Sequence, residues 1–176
     1  GDNEYVIKST NSRYTGLVFS THPNGKKKME GLSIQGKKEG IWTTWYQNGK
    51  KETEGKYFKG TKTGDWGYYY EDTGGIEMEG RSIDGKEQGL WKYYDKNSIP
   101  TKSIHWLLGV KHGKQTGSES GNYDHGVRVG EWRIDTWDKI EIGSYTNGEK
   151  YGVWKVYDVY GNFMVKTFYY MGEENK

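Results

Sequence analysis

The stretch from Gly36 to Tyr46, GKKEGIWTTWY, decides the fold. It contains two glycines four residues apart, one spacer residue, Trp42, and two further aromatic residues that end the stretch. The same arrangement returns along almost the whole chain, at intervals of about 24 residues. Self-similarity at a fixed period is typical of a repeat array, in which each unit buries its apolar face against its neighbours.

Five copies keep both glycines and the tryptophan of this motif, which we write GxxxGxW. We predict that these positions are structural, because they recur while the residues between them vary. They are Gly36, Gly40 and Trp42; Gly60, Gly64 and Trp66; Gly85, Gly89 and Trp91; Gly126, Gly130 and Trp132; and Gly148, Gly152 and Trp154.

The composition predicts strands joined by tight turns. The chain holds 27 Gly, 16 Tyr and 8 Trp among its 176 residues, and each glycine inside a helix would cost about 1 kcal/mol relative to alanine. Each copy has two turn signals, and we interpret GxxxG as a five-residue loop and Asn-Gly or Thr-Gly-Gly as a shorter one. The sequence therefore predicts an all-β antiparallel meander of about fourteen strands.

A glycine occurs in the middle of each predicted return strand, as in Met29-Glu30-Gly31, Thr53-Glu54-Gly55 and Met78-Glu79-Gly80. A glycine at such a position weakens a strand unless a neighbouring group fills the space, and an aromatic ring over the bare backbone does so. We predict that each tryptophan of the motif covers one of these glycines.

Aromatic residues line both faces of the predicted strands, because side chains alternate at each step along a strand. Rings beside the motif that are not needed to cover a glycine are candidates for contact with a partner. These candidate binding aromatics are Trp45, Tyr46, Tyr69, Tyr70 and Tyr94.

The motif fails around residues 99–125, where Gln115 stands in place of tryptophan and the interval to the next copy is shorter. Drift in a tolerant repeat and a remodelled binding loop are both open here. In the first copy Val18 replaces the tryptophan, as expected of a terminal cap. We divide the chain into a leader or edge strand at 1–13, an array at 14–172 and a charged tail at 173–176.

Charge and hydropathy exclude several classes of function. The net charge is only +2, with both signs interleaved, so a nucleic-acid partner is not expected. No apolar run is long enough to cross a bilayer, so we expect no transmembrane segment. The chain has no cysteine, which is compatible with a reducing or an oxidising compartment. It begins with Gly1 rather than Met, which we interpret as a cleaved tag and a truncated start that leaves room for a removed signal peptide. We therefore favour a secreted or periplasmic location over a cytoplasmic one.

Catalytic and metal-binding patterns are missing from the sequence. Its histidines, His22, His105, His112 and His125, show none of the spacings HxxxH, HExxH or HxH. No GxSxG nucleophile motif occurs either. We accordingly expect a protein that is not an enzyme, with no cofactor and no metal.

The recurring glycine pair, the tryptophan, the Asn-Gly turn and the return strand ending in Tyr or Phe resemble the bacterial variant of the MORN repeat. The resemblance covers about residues 14–172. It implies an elongated, twisted meander of about seven hairpins that serves as a binding scaffold or spacer. Another protein is the partner we expect from it.

Two alternatives remain open at this point. Cell-wall-binding repeats are also aromatic hairpins, so exposed Tyr or Trp platforms could stack on a glycan. Relatives of the MORN repeat are linked to lipid head groups, which would require a basic face. The lysines that could form one are interrupted by glutamates; they are Lys26, Lys27, Lys28, Lys37, Lys38, Lys50 and Lys51.

Overall fold

A computed structural model of the chain describes residues 4–7 and 10–175, and these residues contain strands and turns but no helix. The prediction of an all-β antiparallel meander is confirmed. The chain divides into two compact units, the first ending at Ile99 and the second beginning at Pro100. The boundary falls at the start of the segment in which the sequence motif fails.

The first unit contains a two-stranded hairpin, β1–β2, followed by seven strands, β3 to β9. Within β3 to β9 each strand pairs antiparallel with the next strand in the sequence. The strands are β1 Val6–Ile7, β2 Ser12–Arg13, β3 Gly16–Thr21, β4 Lys27–Ile34, β5 Lys37–Trp45, β6 Lys51–Phe58, β7 Thr61–Tyr69, β8 Ile76–Ile83 and β9 Lys86–Tyr94.

The second unit continues the same pattern with eight strands, each antiparallel to the next. They are β10 Pro100–Leu107, β11 Val110–Thr116, β12 Glu119–Asp124, β13 Val127–Asp135, β14 Lys139–Thr146, β15 Glu149–Asp158, β16 Phe163–Tyr170 and β17 Glu173–Asn175.

The lengths of the two kinds of turn are the reverse of those predicted: the turn at GxxxG is the shorter one, and the Asn-Gly turn is the longer one. Strand β4 ends at Ile34 and β5 begins at Lys37, so the first turn is only Gln35-Gly36. Both residues have positive φ, 48° and 81°, which is the backbone of a two-residue hairpin turn and favours glycine. The longer connection is the Asn-Gly turn, where the Tyr46 N–H donates to Lys50 O. The interpretation of GxxxG as a five-residue loop was wrong.

The second glycine of GxxxG lies inside a strand, at a shift in strand register. Leu32 faces Glu39, whereas the preceding residue, Gly31, faces Trp42. Gly40 therefore falls in a bulge, and its φ of 68° requires the left-handed backbone that glycine adopts at low cost. The bulge changes which residue faces the neighbouring strand, and so aligns the tryptophan with a glycine.

Each tryptophan of the motif lies on a mid-strand glycine of the preceding strand, as predicted. A Cβ atom placed on Gly31 would stand 2.2 Å from Trp42 Cδ2, so the ring occupies the space of a side chain. The five tryptophans are at most 3% exposed, although they belong to sheets of a single layer. The pairs are Gly31 and Trp42, Gly55 and Trp66, Gly80 and Trp91, Gly121 and Trp132, and Gly143 and Trp154.

Tyrosines extend these tryptophans into a ladder of rings along each unit, with centroids 5.1–6.3 Å apart. Aromatic contacts at this spacing add to the burial of apolar area. The ladder is Tyr5, Trp42, Tyr57, Trp66, Tyr68 and Trp91 in the first unit, and Tyr123, Trp132, Tyr145, Trp154 and Tyr169 in the second.

A cation from the middle of GxxxG covers the rings in several copies. Lys62 Nζ lies 4.1 Å from the centroid of Trp66, and Lys150 Nζ lies at the same distance from Trp154. Arg128 lies over Trp132 at 4.5 Å. A cation over an aromatic face is attracted by the ring quadrupole, and its aliphatic stem shields the ring from water. The middle position of the motif is therefore a structural position that the sequence pattern alone did not identify.

The irregular copy replaces both members of the tryptophan and glycine pair. Ile104 on β10 faces Gln115 on β11, at the places where other copies have glycine and tryptophan. Ile104 is 4% exposed and Gln115 is 6% exposed. Ile104 is larger than the glycine of the other copies, and Gln115 is smaller than their tryptophan. The two changes compensate, so the buried row stays filled.

The structure describes part of each of the two chain ends that flank the array. The predicted edge strand is a separate hairpin, in which Val6 pairs with Arg13 and Ile7 with Ser12. Tyr5 stacks on Trp42 with centroids 5.5 Å apart, so the hairpin covers the first tryptophan of the ladder. Residues 173–175 of the predicted tail form β17, while residues 1–3, 8–9 and 176 lie outside the described residues.

Candidate functional site

The face opposite the tryptophans of the first unit carries a row of cross-strand neighbours with a gap in it. Glu54 on β6 faces Thr43 on one side and Gly67 on the other, and Gly67 in turn faces Glu79 on β8. Glu79 faces Lys92. Since Gly67 has no side chain, a depression separates the glutamates of two return strands, and the tip of the Tyr69 ring lies over its floor.

This space is a groove of about 490 Å³, which we call the outer groove. Glu54, Gly67, Tyr69, Glu79 and Arg81 line it, and exposed Ile41 and Leu90 line it as well. Tyr69 folds toward the bare backbone, since a Cβ atom on Gly67 would stand 3.0 Å from its Oη. The groove thus combines an aromatic ring and two aliphatic side chains with charges of both signs.

Hydrogen bonds fix the two carboxylates of the outer groove. Glu54 accepts from Lys51 Nζ at 2.9 Å and from Thr43 Oγ1 at 3.2 Å. The bond from Lys51 lowers the pKa of Glu54, so this side chain is ionised at neutral pH. Glu79 accepts from Tyr94 Oη at 2.7 Å, and this contact raises the pKa of Tyr94.

The structure gives the candidate binding aromatics different roles. Tyr46 Oη donates to Tyr69 O at 2.8 Å, and Tyr70 Oη donates to Tyr94 O at 2.7 Å. These two rings therefore connect one repeat to the next. Trp45 and Tyr69 each have a lysine over the ring, Lys27 and Lys51 respectively, at 5.1 and 5.2 Å. All five aromatics are partly buried, and among them Tyr69 lines the outer groove.

Many lysines of the predicted basic cluster make contacts within the sheet. Lys26 Nζ donates to Asn48 O at 2.6 Å, and Lys38 lies 4.6 Å from the centroid of Trp42. Lys27 and Lys51 form ion pairs with Glu30 and Glu54. The basic cluster is therefore interleaved with acids and aromatic rings in the fold as well as in the sequence.

The structure brings together three residues that the sequence patterns did not connect: His112, Asp124 and His125. Their donor atoms all lie within 4.8 Å of one another. His22 and His105 lie elsewhere, with ring nitrogens 2.7 Å from Trp45 O and 3.3 Å from Lys114 O. The expectation of no metal relied on contiguous histidine motifs, which do not detect ligands supplied by separate strands and turns.

No known protein family matches the sequence, and no curated protein matches it significantly. The resemblance to the MORN repeat thus depends on the motif residues quoted above. Among the described residues there is no helix that could cross a membrane.

Proposed function

We propose that this chain is a non-enzymatic scaffold of MORN-like repeats that binds another protein through the outer groove. The observation that carries the proposal is the gap at Gly67, which places an aromatic ring and two fixed carboxylates beside exposed aliphatic side chains. Concave surfaces that combine apolar contacts with a few placed charges are typical of recognition sites.

The charges suggest what part of the partner enters. Glu54 is ionised and Glu79 lies across the glycine from it, so a lysine or arginine of the partner would meet acceptors on two sides. Apolar neighbours of that basic residue would contact Ile41 and Leu90, which are 59% and 41% exposed. We infer that the partner presents a basic residue flanked by apolar ones.

Several contacts favour a protein over a glycan or a lipid surface. Among the candidate binding aromatics, Trp45 and Tyr69 each have one ring face covered by a lysine, Lys27 and Lys51, which leaves less ring surface for stacking on a sugar. Attraction to anionic lipids requires an excess of positive charge on one surface. Here Lys27 and Lys51 are paired with glutamates, which reduces that excess.

The experiment captures binding proteins from a lysate of the source cell and quantifies them by mass spectrometry. The immobilised proteins are the wild-type chain and two variants in which one glutamate is replaced by lysine. Glu54→Lys changes the outer groove. Glu30→Lys is its control, since Glu30 has the same place in its repeat and the same type of lysine pair, but lies outside the groove. We expect a stoichiometric partner with the wild type and Glu30→Lys, and at least tenfold less with Glu54→Lys.

Filling the gap gives a test that does not depend on charge. Gly67→Thr copies the residue that faces Glu54 from the other side. Its side chain would displace the Tyr69 ring and fill the groove, and should abolish capture of the same partner. Equal capture by all variants would contradict the proposed surface. Retention on a polysaccharide, with quenching of tryptophan fluorescence, in place of a protein partner would support the glycan alternative.

A further inference from the structure

The repeat geometry brings three positions together where a turn meets the neighbouring hairpin. They are the residue before the second glycine of GxxxG, the last residue of a return strand and the residue after it. In one regular copy these are Glu39, Phe58 and Lys59, and the Lys59 N–H donates to Glu39 Oε2 at 2.9 Å. In the irregular copy they are His112, Asp124 and His125, and the His125 N–H approaches His112 Nδ1 at 3.4 Å.

The irregular copy is unusual in the chemistry of these three positions. Other copies within the two units carry Thr63, Ile83 and Asp84, or Val129, Thr146 and Asn147. Each of those sets, like that of Glu39, contains no histidine and at most one carboxylate. At the same positions the irregular copy carries two imidazoles and a carboxylate.

The donor atoms of the irregular copy already converge. Asp124 Oδ1 lies 2.6 Å from His125 Nδ1 and 3.5 Å from His112 Nδ1. The two imidazole centroids are 5.0 Å apart. Donors bonded to one tetrahedral ion at about 2.0–2.2 Å are separated by about 3.3–3.6 Å, which matches the distance from Asp124 to His112. The shorter contact between Asp124 and His125 is a hydrogen bond, which an ion would replace. Rotation of the three side chains, of which Asp124 and His125 are exposed and His112 is partly buried, would place their donors around a common centre.

The backbone that carries these ligands is fixed by hydrogen bonds. His112 belongs to β11, which pairs with β12, and Asp124 is the last residue of β12. His125 has a φ of 47° in the two-residue turn that follows, and the N–H of the next residue, Gly126, donates to Lys111 O at 2.7 Å. The fold therefore positions the three Cα atoms before any ion binds.

We propose that His112, Asp124 and His125 bind one divalent transition-metal ion of the Zn²⁺ class. Two imidazoles with one carboxylate suit Zn²⁺, Co²⁺ or Ni²⁺, whereas Mg²⁺ and Ca²⁺ prefer oxygen ligands alone. Solvent completes the coordination on the exposed side, where His125 is 76% exposed. The ion connects β11 to the turn after β12, in the copy that lacks the tryptophan and glycine pair.

The test is titration of the folded chain, carrying no added histidines, with Zn²⁺ and with Co²⁺. We expect one ion per chain by calorimetry, visible absorption from bound Co²⁺, and no binding of Mg²⁺. His112→Ala and His125→Ala should each weaken Zn²⁺ binding by about tenfold or more, because loss of a ligand exceeds the usual effect of losing an outer partner.

The control is His105→Ala, which removes an exposed histidine of the same unit outside the cluster. It should leave Zn²⁺ affinity and stoichiometry unchanged. Asp124→Asn serves as a further variant if circular dichroism shows that a histidine variant has not folded. Binding that is equally strong in His112→Ala, or no binding of Zn²⁺ by the wild type below millimolar concentration, would overturn the proposal.

Discussion

The indole of Trp66 lies directly on Gly55 of the preceding strand, with Trp66 Cδ2 2.2 Å from the place a Cβ atom would take. The ring is 3% exposed, and its Nε1 donates to Thr63 O at 3.2 Å. A single-layered sheet has no second layer to bury its side chains. Here the missing side chain of a glycine lets a large ring lie flat on the backbone, and tyrosines and lysines cover the ring from the other sides.

Adding one methyl group at Gly55 should destabilise the first unit. In Gly55→Ala the new Cβ overlaps the Trp66 ring, which must move away from the backbone, and overpacking of this kind costs about 1–3 kcal/mol or more. The measurement is the free energy of unfolding in denaturant, followed by circular dichroism. Gly75→Ala is the control, because its Cβ would meet only Ser98 Oγ and Thr73 Oγ1, at 3.2 and 3.4 Å. An equal effect of the two substitutions would disprove the role of the ring.

Removing the Trp66 ring should lower the free energy of unfolding more than crowding it with a methyl group at Gly55 does. Trp66→Ala deletes a fully buried side chain, and we expect a loss of about 3–5 kcal/mol in the free energy of unfolding. Trp137→Ala is the matched control, since Trp137 lies in the turn between β13 and β14 and is 91% exposed. We expect that variant to unfold within about 0.5 kcal/mol of the wild type. An unfolding midpoint that hardly moves in Trp66→Ala would show that the ring is not part of the core.

The irregular copy should accept the regular pair only as a double substitution. Gln115→Trp alone places an indole where the Ile104 side chain lies, and should cost about 1–3 kcal/mol. Ile104→Gly alone leaves a cavity and should cost about 2–5 kcal/mol. With both changes the ring can lie on the new glycine, and we expect a favourable coupling of about 0.5–3 kcal/mol in a double-mutant cycle. Additive losses would mean that the two positions do not share one space.

The stability of the second unit should depend on ionised Glu141. Burial opposes the charge of this side chain, but hydrogen bonds from Lys139 and Lys150 outweigh it, so the pKa of Glu141 lies below its ordinary value of 4.5. Lys150 also lies over Trp154. Glu141→Gln should therefore lower the free energy of unfolding at neutral pH by about 1.5–3 kcal/mol.

The pH dependence gives this prediction its sign. A depressed pKa contributes stability that is present above the unfolded value and is lost as the pH falls through the folded value. The difference between wild type and Glu141→Gln should thus be constant above about pH 5.5 and shrink below pH 4.5. Glu131→Gln is the control, because it makes the same substitution at an exposed position of the same unit. A difference between wild type and Glu141→Gln that persists at pH 2 would indicate lost packing rather than lost charge.

Local rules in the sequence predicted the repeated elements. The spacing of GxxxGxW predicted tandem hairpins, and the mid-strand glycines predicted which residue each tryptophan covers. Both predictions depend on short-range properties, namely the backbone freedom of glycine and the alternation of side chains along a strand. The lengths of the two turns were wrong, because positive φ at Gln35 and a bulge at Gly40 satisfy the same glycine spacing as a five-residue loop would.

Contacts between hairpins were decided by the tertiary structure. The gap at Gly67 becomes a groove only when two return strands place Glu54 and Glu79 on either side of it. His112 and His125 meet because a turn folds back on the neighbouring hairpin, at a separation in sequence that no metal motif describes. These contacts depend on the register between neighbouring strands. Turns and bulges set that register together, so the sequence of a single strand does not encode it. The sequence by itself therefore determined the repeating unit and its buried pair, and the packing of one hairpin on the next determined the candidate sites.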